Sequence, residues 1–117
     1  MSSPSVGFIG FGEAGSTIAG GLHGAGIDRL VAFDINARTP GPGPEIQARA
    51  ADTGTTLVES SEELARAADI LLSTVTSSSA SDAARQSAPF LQPRHIYVDL
   101  NSVSPALKRE IAGVIVR

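Results

Sequence analysis

The chain has 117 residues, 42% hydrophobic and 18% charged, which suits one ordinary globular domain with a modest core. A formal net charge of -3 offers no basic surface for nucleic acid. The absence of cysteine excludes a disulfide framework, a thiolate nucleophile and a thiolate-held metal.

Strand and helix signals alternate along the whole chain. Residues 5–9 form a first apolar strand, followed by Gly10-Phe11-Gly12-Glu13-Ala14-Gly15 and a helix over 13–23 with Ile18, Ala19 and Leu22 on its apolar face. Gly24 or Gly26 is suited to end that helix. A second strand over 29–33 closes on Asp34. The run Thr39-Pro40-Gly41-Pro42-Gly43-Pro44 is irregular, since proline and glycine break both kinds of regular structure. A short helix over 45–52 and a third strand over 55–58 follow. Ser60 or Ser61 caps the next helix, with Glu62 or Glu63 completing a capping box. Residues 70–75 read as a fourth strand, nearly all apolar or β-branched, as expected for a strand buried on both faces. A Ser-rich turn over 76–81 leads to a helix over 81–91, bent or ended by Pro89. A fifth strand over 96–100 precedes Ser104-Pro105, an N-cap and first-turn pair opening a helix that runs to the C-terminus. Such alternation predicts an α/β fold of Rossmann type, a doubly wound parallel sheet in three αβα layers.

The stretch over 6–34 is strand, glycine turn, helix, strand, acid, and each part has a job in holding a dinucleotide. Gly10 permits the tight turn out of the strand. Gly12 leaves the backbone bare for a pyrophosphate, and Gly15 lets the helix pack closely on the strand. The helix N-terminus presents N–H groups and partial positive charge to phosphates. Asp34 stands where an acid accepts from ribose hydroxyls. A carboxylate there favours NAD over NADP, whose 2′-phosphate it would repel, although Arg38 lies four residues on. We read Arg38 as solvated. The simpler account of Asp34 is a residue that ends a strand and starts a turn.

Three segments carry a resemblance. They are Gly7-Phe8-Ile9-Gly10-Phe11-Gly12-Glu13-Ala14-Gly15 with Ile18, Ala19 and Leu22; Thr74-Val75-Thr76; and Val98-Asp99-Leu100-Asn101-Ser102-Val103-Ser104-Pro105 with Ile111 and Ala112. Together they resemble the N-terminal domain of the β-hydroxyacid dehydrogenases, the group that includes 6-phosphogluconate and 3-hydroxyisobutyrate dehydrogenases. Ala14 departs from the Met common before the third glycine, and Glu13-Ala14-Gly15-Ser16 is closer to the phosphogluconate-dehydrogenase-like subgroup. The resemblance implies NAD as cofactor, with NADP as the alternative, and hydride transfer to or from a small hydroxy acid. It implies a dimeric intact enzyme whose helical second domain carries the catalytic lysine. These 117 residues are then the cofactor domain alone, without that catalytic and dimerisation domain. The apolar end at residues 113–117 looks cut within a structure. Such a fragment should bind cofactor and be inactive. A stand-alone NAD(H)-binding or regulatory domain, or the cofactor domain of an imine-reductase-type enzyme, are the rival readings.

The cofactor-site candidates are therefore Gly10, Phe11, Gly12, Glu13, Ala14, Gly15, Asp34, Thr74, Val75, Thr76, Asn101 and Ser102, with no catalytic residue and no metal ligand. Thr74, Val75 and Thr76 end a strand on the edge where such sheets bind ligands, and Thr76 is placed either to meet a ribose or simply to make a polar turn. The resemblance puts Asn101 and Ser102 beside the nicotinamide ribose and substrate; the alternative is an Asx turn and helix cap. Lys108, the only lysine, reads as a solvated helix residue. His23 and His95 fall at the wrong ends of their elements to act as bases. The first residues lack the basic and apolar regions of a leader peptide, and no apolar run reaches membrane-spanning length. The expectation is a cytoplasmic protein without nucleic-acid or membrane partners.

Overall fold

A computed structural model describes residues 4–116. The expectations about a leader rest partly on residues 1–3, which lie outside the described residues, as does Arg117; the last helix, expected to reach the terminus, stops at Ile115, with Val116 as its non-helical C-cap. Five strands, β1 (Val6–Ile9), β2 (Leu30–Phe33), β3 (Thr55–Leu57), β4 (Ile70–Ser73) and β5 (Ile96–Asp99), form one parallel sheet in the order β3-β2-β1-β4-β5. The strand order reverses beside β1: β2 and β3 step one way from it, β4 and β5 the other. Gly7 stands level with Val31 on one side and Leu71 on the other. This is the Rossmann arrangement expected, and its switch point puts the end of β1 in the ligand-binding crevice.

Helices α1 (Glu13–Gly24) and α2 (Gly43–Asp52) cover one face, and α3 (Ser61–Ala67), α4 (Ala80–Ser87) and α5 (Pro105–Ile115) the other. Alternation along each strand sorts the core. Phe8, Leu30 and Ala32 pack with Ala19 of α1 and with Ile46 and Ala50 of α2. Ile9 and Leu71 point the other way, onto Leu64, Ala68 and Ala83. A third cluster joins Ala80 and Ala84 of α4 to Ile111 of α5. The caps are those the sequence signals: the Ser60 hydroxyl accepts from the Glu63 N–H, and the Ser104 hydroxyl from the Leu107 N–H.

Three local expectations are corrected. The Pro-Gly run is not irregular to its end, because α2 already includes Gly43 and Pro44. A proline in the first turn lacks only an N–H that has no helical partner. Gly43 suits the place because a Cβ there would lie 2.8 Å from the Ala37 carbonyl oxygen. Strand β4 stops at Ser73 rather than residue 75, since its partner β1 ends at Ile9 and the chain turns at Gly10. Nor is β4 buried on both faces: Leu71 and Ser73 are buried, whereas Ile70 and Leu72 are half-exposed. The α1–α2 layer packs over β1 and β2 and meets Leu72 only at its margin.

Candidate functional site

The glycine turn joins β1 to α1, and each of its three glycines is held by a different constraint. Gly10 has φ of +84°, the left-handed region that other residues avoid, and a Cβ would lie 2.8 Å from Val75 Cγ1. At Gly15 a Cβ would lie 2.8 Å from Thr74 Oγ1 and 2.9 Å from the Gly10 carbonyl oxygen, so helix and strand touch there. At Gly12 a Cβ would meet nothing within 4 Å among the described residues, and the backbone is in an extended conformation. Packing among the described residues does not demand a glycine at position 12. No side chain caps α1, and Gly12 is its N-cap. The first-turn amides of Glu13 and Ala14 have no acceptor within the helix and are available to an anion. Phe11 contributes backbone only, its ring being fully buried edge-on against Phe8.

Asp34, at the end of β2, ties this turn to the next loop. Its Oδ2 accepts from the Phe11 N–H at 2.8 Å and its Oδ1 from the Asn36 N–H at 2.9 Å. A carboxylate has about four acceptor positions, so each oxygen keeps capacity for a further donor. Across the turn, the Thr74 hydroxyl donates to the Gly10 carbonyl at 2.8 Å. Thr76 lies at the mouth, with its hydroxyl bonded to those of Ser78 and Ser79. Arg38 is exposed but not free: its guanidinium pairs with Glu59 at 3.1 Å.

These elements enclose a cleft of about 310 Å³ above β1. It gathers Gly10, Gly12, Asp34, Thr74, Val75 and Thr76 from the expected set. The sequence reading missed Ile35 and Asn36 on one wall, and Ser79, Asp82, Ala83 and Gln86 on the other. The latter four recur at the spacing of one helix face. Asp82, Ala83 and Gln86 lie within the helix expected over 81–91; only Ser79 precedes it, in a 3-10 turn over Ser77–Ser79 that runs into α4.

Asn101 and Ser102 are not in this cleft; they leave β5, two strands from β1 on the side away from β2. Asn101 is buried, its side-chain amide donating to the Ser73 hydroxyl at 3.0 Å, while the exposed Ser102 accepts at its carbonyl from the Ser77 hydroxyl at 2.7 Å. The Asn101 N–H donates to Asp99 Oδ1 at 2.8 Å, which is the Asx turn. Lys108 is not simply solvated, as its place in a helix suggested. Its ammonium donates to the Asp99 carbonyl at 2.8 Å and to Oδ1 at 3.0 Å, because the turn after β5 brings α5 back over the strand end. Beneath this tie, Asp99 Oδ2 and the Tyr97 hydroxyl are buried with no hydrogen-bond partner among the described residues. Burial pushes the Tyr97 phenol above its ordinary 10.0. The Ser73 hydroxyl, near it but outside hydrogen-bond geometry, acts the other way, and the Asp99 carboxylate raises it further.

Both histidines lie at the opposite edge of the sheet. His23 packs under Gly54, just before β3, and His95 Nε2 bonds the Ala65 carbonyl at 2.7 Å, just before β5. No group of carboxylates and histidines among the described residues is placed to hold a metal. No helix among them is long and apolar enough to cross a membrane.

The family described as NADP oxidoreductase, coenzyme F420-dependent, matches residues 5–102. The chain belongs to this family. It has the NAD(P)-binding Rossmann domain of such oxidoreductases. A conserved hypothetical protein from Sinorhizobium meliloti 1021 is 38% identical with a TM-score of 0.88, over 96% of this chain and 37% of that one. The pyrroline-5-carboxylate reductase of Pseudomonas aeruginosa is 28% identical over 111 residues, 94% of this chain and 39% of that protein. The Mycobacterium tuberculosis 3-hydroxyisobutyrate dehydrogenase shares the fold at 22% identity, with a TM-score of 0.80 over 97% of this chain and 37% of that one. The chain thus spans less than two fifths of the length of each of these proteins. Because they include a reductase and a hydroxy-acid dehydrogenase, the resemblance to 6-phosphogluconate dehydrogenases narrows no further than the oxidoreductase domain.

Proposed function

We propose that residues 1–117 are the cofactor domain of an oxidoreductase that moves a hydride between a nicotinamide ring and a small hydroxy acid, in the manner of the β-hydroxyacid dehydrogenases. The observation that carries it is the bare turn at Gly12. That position has an extended backbone and empty space where a side chain would stand, beside amides with no acceptor of their own. Packing does not require a glycine there; a ligand approaching the bare backbone does.

In this assignment Gly12 and the amides of Glu13 and Ala14 take the pyrophosphate. Gly10, Phe11 and Gly15 shape the turn, Asp34 accepts from the adenine ribose, and Val75 and Thr76 line the cleft opposite it. Thr74 holds the turn through Gly10. Asn101 and Ser102 stand on the nicotinamide side. The cofactor supplies or accepts the hydride. The chain's own residues bind and orient it. NAD is the preferred cofactor, because Asp34 would repel a 2′-phosphate and Arg38, the nearest cation in sequence, is occupied by Glu59. The catalytic lysine and the dimer interface belong to a further domain in the intact enzyme, which we place in the cytoplasm.

A second reading, reduction of a carbon–nitrogen double bond, is favoured by the sequence relationship to pyrroline-5-carboxylate reductase. The same cofactor site serves both. Calorimetric titration of NAD and NADP in both redox states tests the common part. NAD should bind more tightly, and Asp34→Ser should narrow the gap by removing the charge. Binding of neither dinucleotide would overturn the assignment; preference for NADP by the unchanged chain would overturn the role given to Asp34.

A further inference from the structure

Two observations in the cleft remain unexplained by a turn that binds pyrophosphate. Ile35 is 68% exposed although it follows a core strand. Opposite it, α4 turns Asp82 and Gln86 into the same cleft, one helical turn apart, with the buried Ala83 between them. Neither polar side chain takes part in a hydrogen bond among the described residues, while the surface pairs Arg38–Glu59 and Arg85–Glu110 do form nearby. A first-turn acid suits the dipole of α4. That accounts for an acid at position 82, but not for Gln86 beside it or for an exposed isoleucine facing both.

The cleft lies on the Asp34 side of the glycine turn, while Asn101 and Ser102 leave the sheet on the other side. Resting on the dinucleotide reading, this places the adenine half in the cleft. Adenine offers a flat apolar face and one edge with a 6-amino donor between ring-nitrogen acceptors. The cleft offers the matching parts: Ile35 and Val75 for the faces, a carboxylate that only accepts, and a carboxamide that accepts and donates.

We infer that Asp82 and Gln86 read the amino edge of the adenine, making this site selective for 6-amino over 6-oxo purine dinucleotides. The Asp82 carboxylate accepts from the 6-amino group. The Gln86 carboxamide pairs with the same edge, as glutamine does with adenine elsewhere. A 6-oxo purine puts an acceptor where the amino group stood, facing the carboxylate, and two acceptors cannot pair.

The probe is nicotinamide hypoxanthine dinucleotide, titrated beside NAD against the intact chain. NAD should bind at least tenfold more tightly. Asp82→Asn supplies an N–H donor for the 6-oxo group and should bring the ratio below threefold, chiefly by improving the hypoxanthine analogue. Asp82 is exposed, so the variant should fold, which circular dichroism checks. Equal affinity of the unchanged chain for both dinucleotides would overturn this inference and leave the dinucleotide site standing. An undiminished ratio in Asp82→Asn would remove Asp82 from the recognition. Failure of both dinucleotides to bind would overturn the site itself, and this inference with it.

Discussion

Residue by residue, the glycine turn separates requirements of the fold from requirements of a ligand. Gly15 is pressed against Thr74 and the Gly10 carbonyl, so any side chain there strains the contact between helix and sheet. A Cβ at Gly12 would meet nothing within 4 Å among the described residues. The two positions therefore predict opposite failures. Gly12→Val should fold, losing at most about 1 kcal/mol from a poorer N-cap, and should bind NAD at least tenfold more weakly, about 1.4 kcal/mol. Gly15→Val should instead lose roughly 1–3 kcal/mol of stability through overpacking. Urea denaturation and calorimetric titration of both variants measure the two effects. Unchanged NAD affinity in folded Gly12→Val would sink the assignment of that turn. Both glycines belong to one motif in the sequence; only the space around them tells them apart.

Among the elements, the tie between α5 and β5 is the one the sequence hid. Lys108 is a periodic polar position in a helix, and nothing local says that its ammonium turns back to the strand end. The structure shows it compensating Asp99, whose side chain is 8% exposed and whose Oδ2 has no hydrogen-bond partner among the described residues. Replacing it by methionine keeps the stem and removes the charge. With Lys108 itself 38% exposed, the expected loss is roughly 1–2 kcal/mol, between the values for exposed and buried pairs. Asp99→Asn in the same chain should recover part of that loss, because the uncompensated charge is then gone. Chemical denaturation of both single variants and the double variant forms the cycle. A Lys108→Met chain as stable as the parent would return Lys108 to the solvated surface.

At the scale of the molecule, binding groups collect at one edge of the sheet and the two histidines at the other. The glycine turn, Asp34 and the cleft stand at the strand C-termini. His23 and His95 stand at the other edge, the latter held by the Ala65 carbonyl. Lys108 reaches the correct edge, but its ammonium is occupied by Asp99. Oxidation of a hydroxy acid needs a group that takes the hydroxyl proton within hydrogen-bond reach. We therefore expect this chain to bind NAD(H) and to show no oxidation of short hydroxy acids above background, followed by nicotinamide absorbance. Turnover abolished by Lys108→Ala would show that the catalytic group lies within these residues.

The sequence by itself determined the α/β alternation, the glycine turn, the acid after β2 and the caps at Ser60 and Ser104. These follow from local rules: a backbone that must turn left-handed at Gly10, a side chain that reaches its own next turn, an apolar period of two or nearly four. It also suggested a family, by motifs in the right order. Tertiary structure decided what depends on which elements become neighbours. It set α4 against the loop after β2, so that Ile35 faces Asp82 and Gln86 across a cleft. It turned Asn101 inward onto Ser73, left one face of β4 half-covered and folded Lys108 back onto Asp99. None of these is legible locally, because side-chain period says which residues share a face but not what that face will meet.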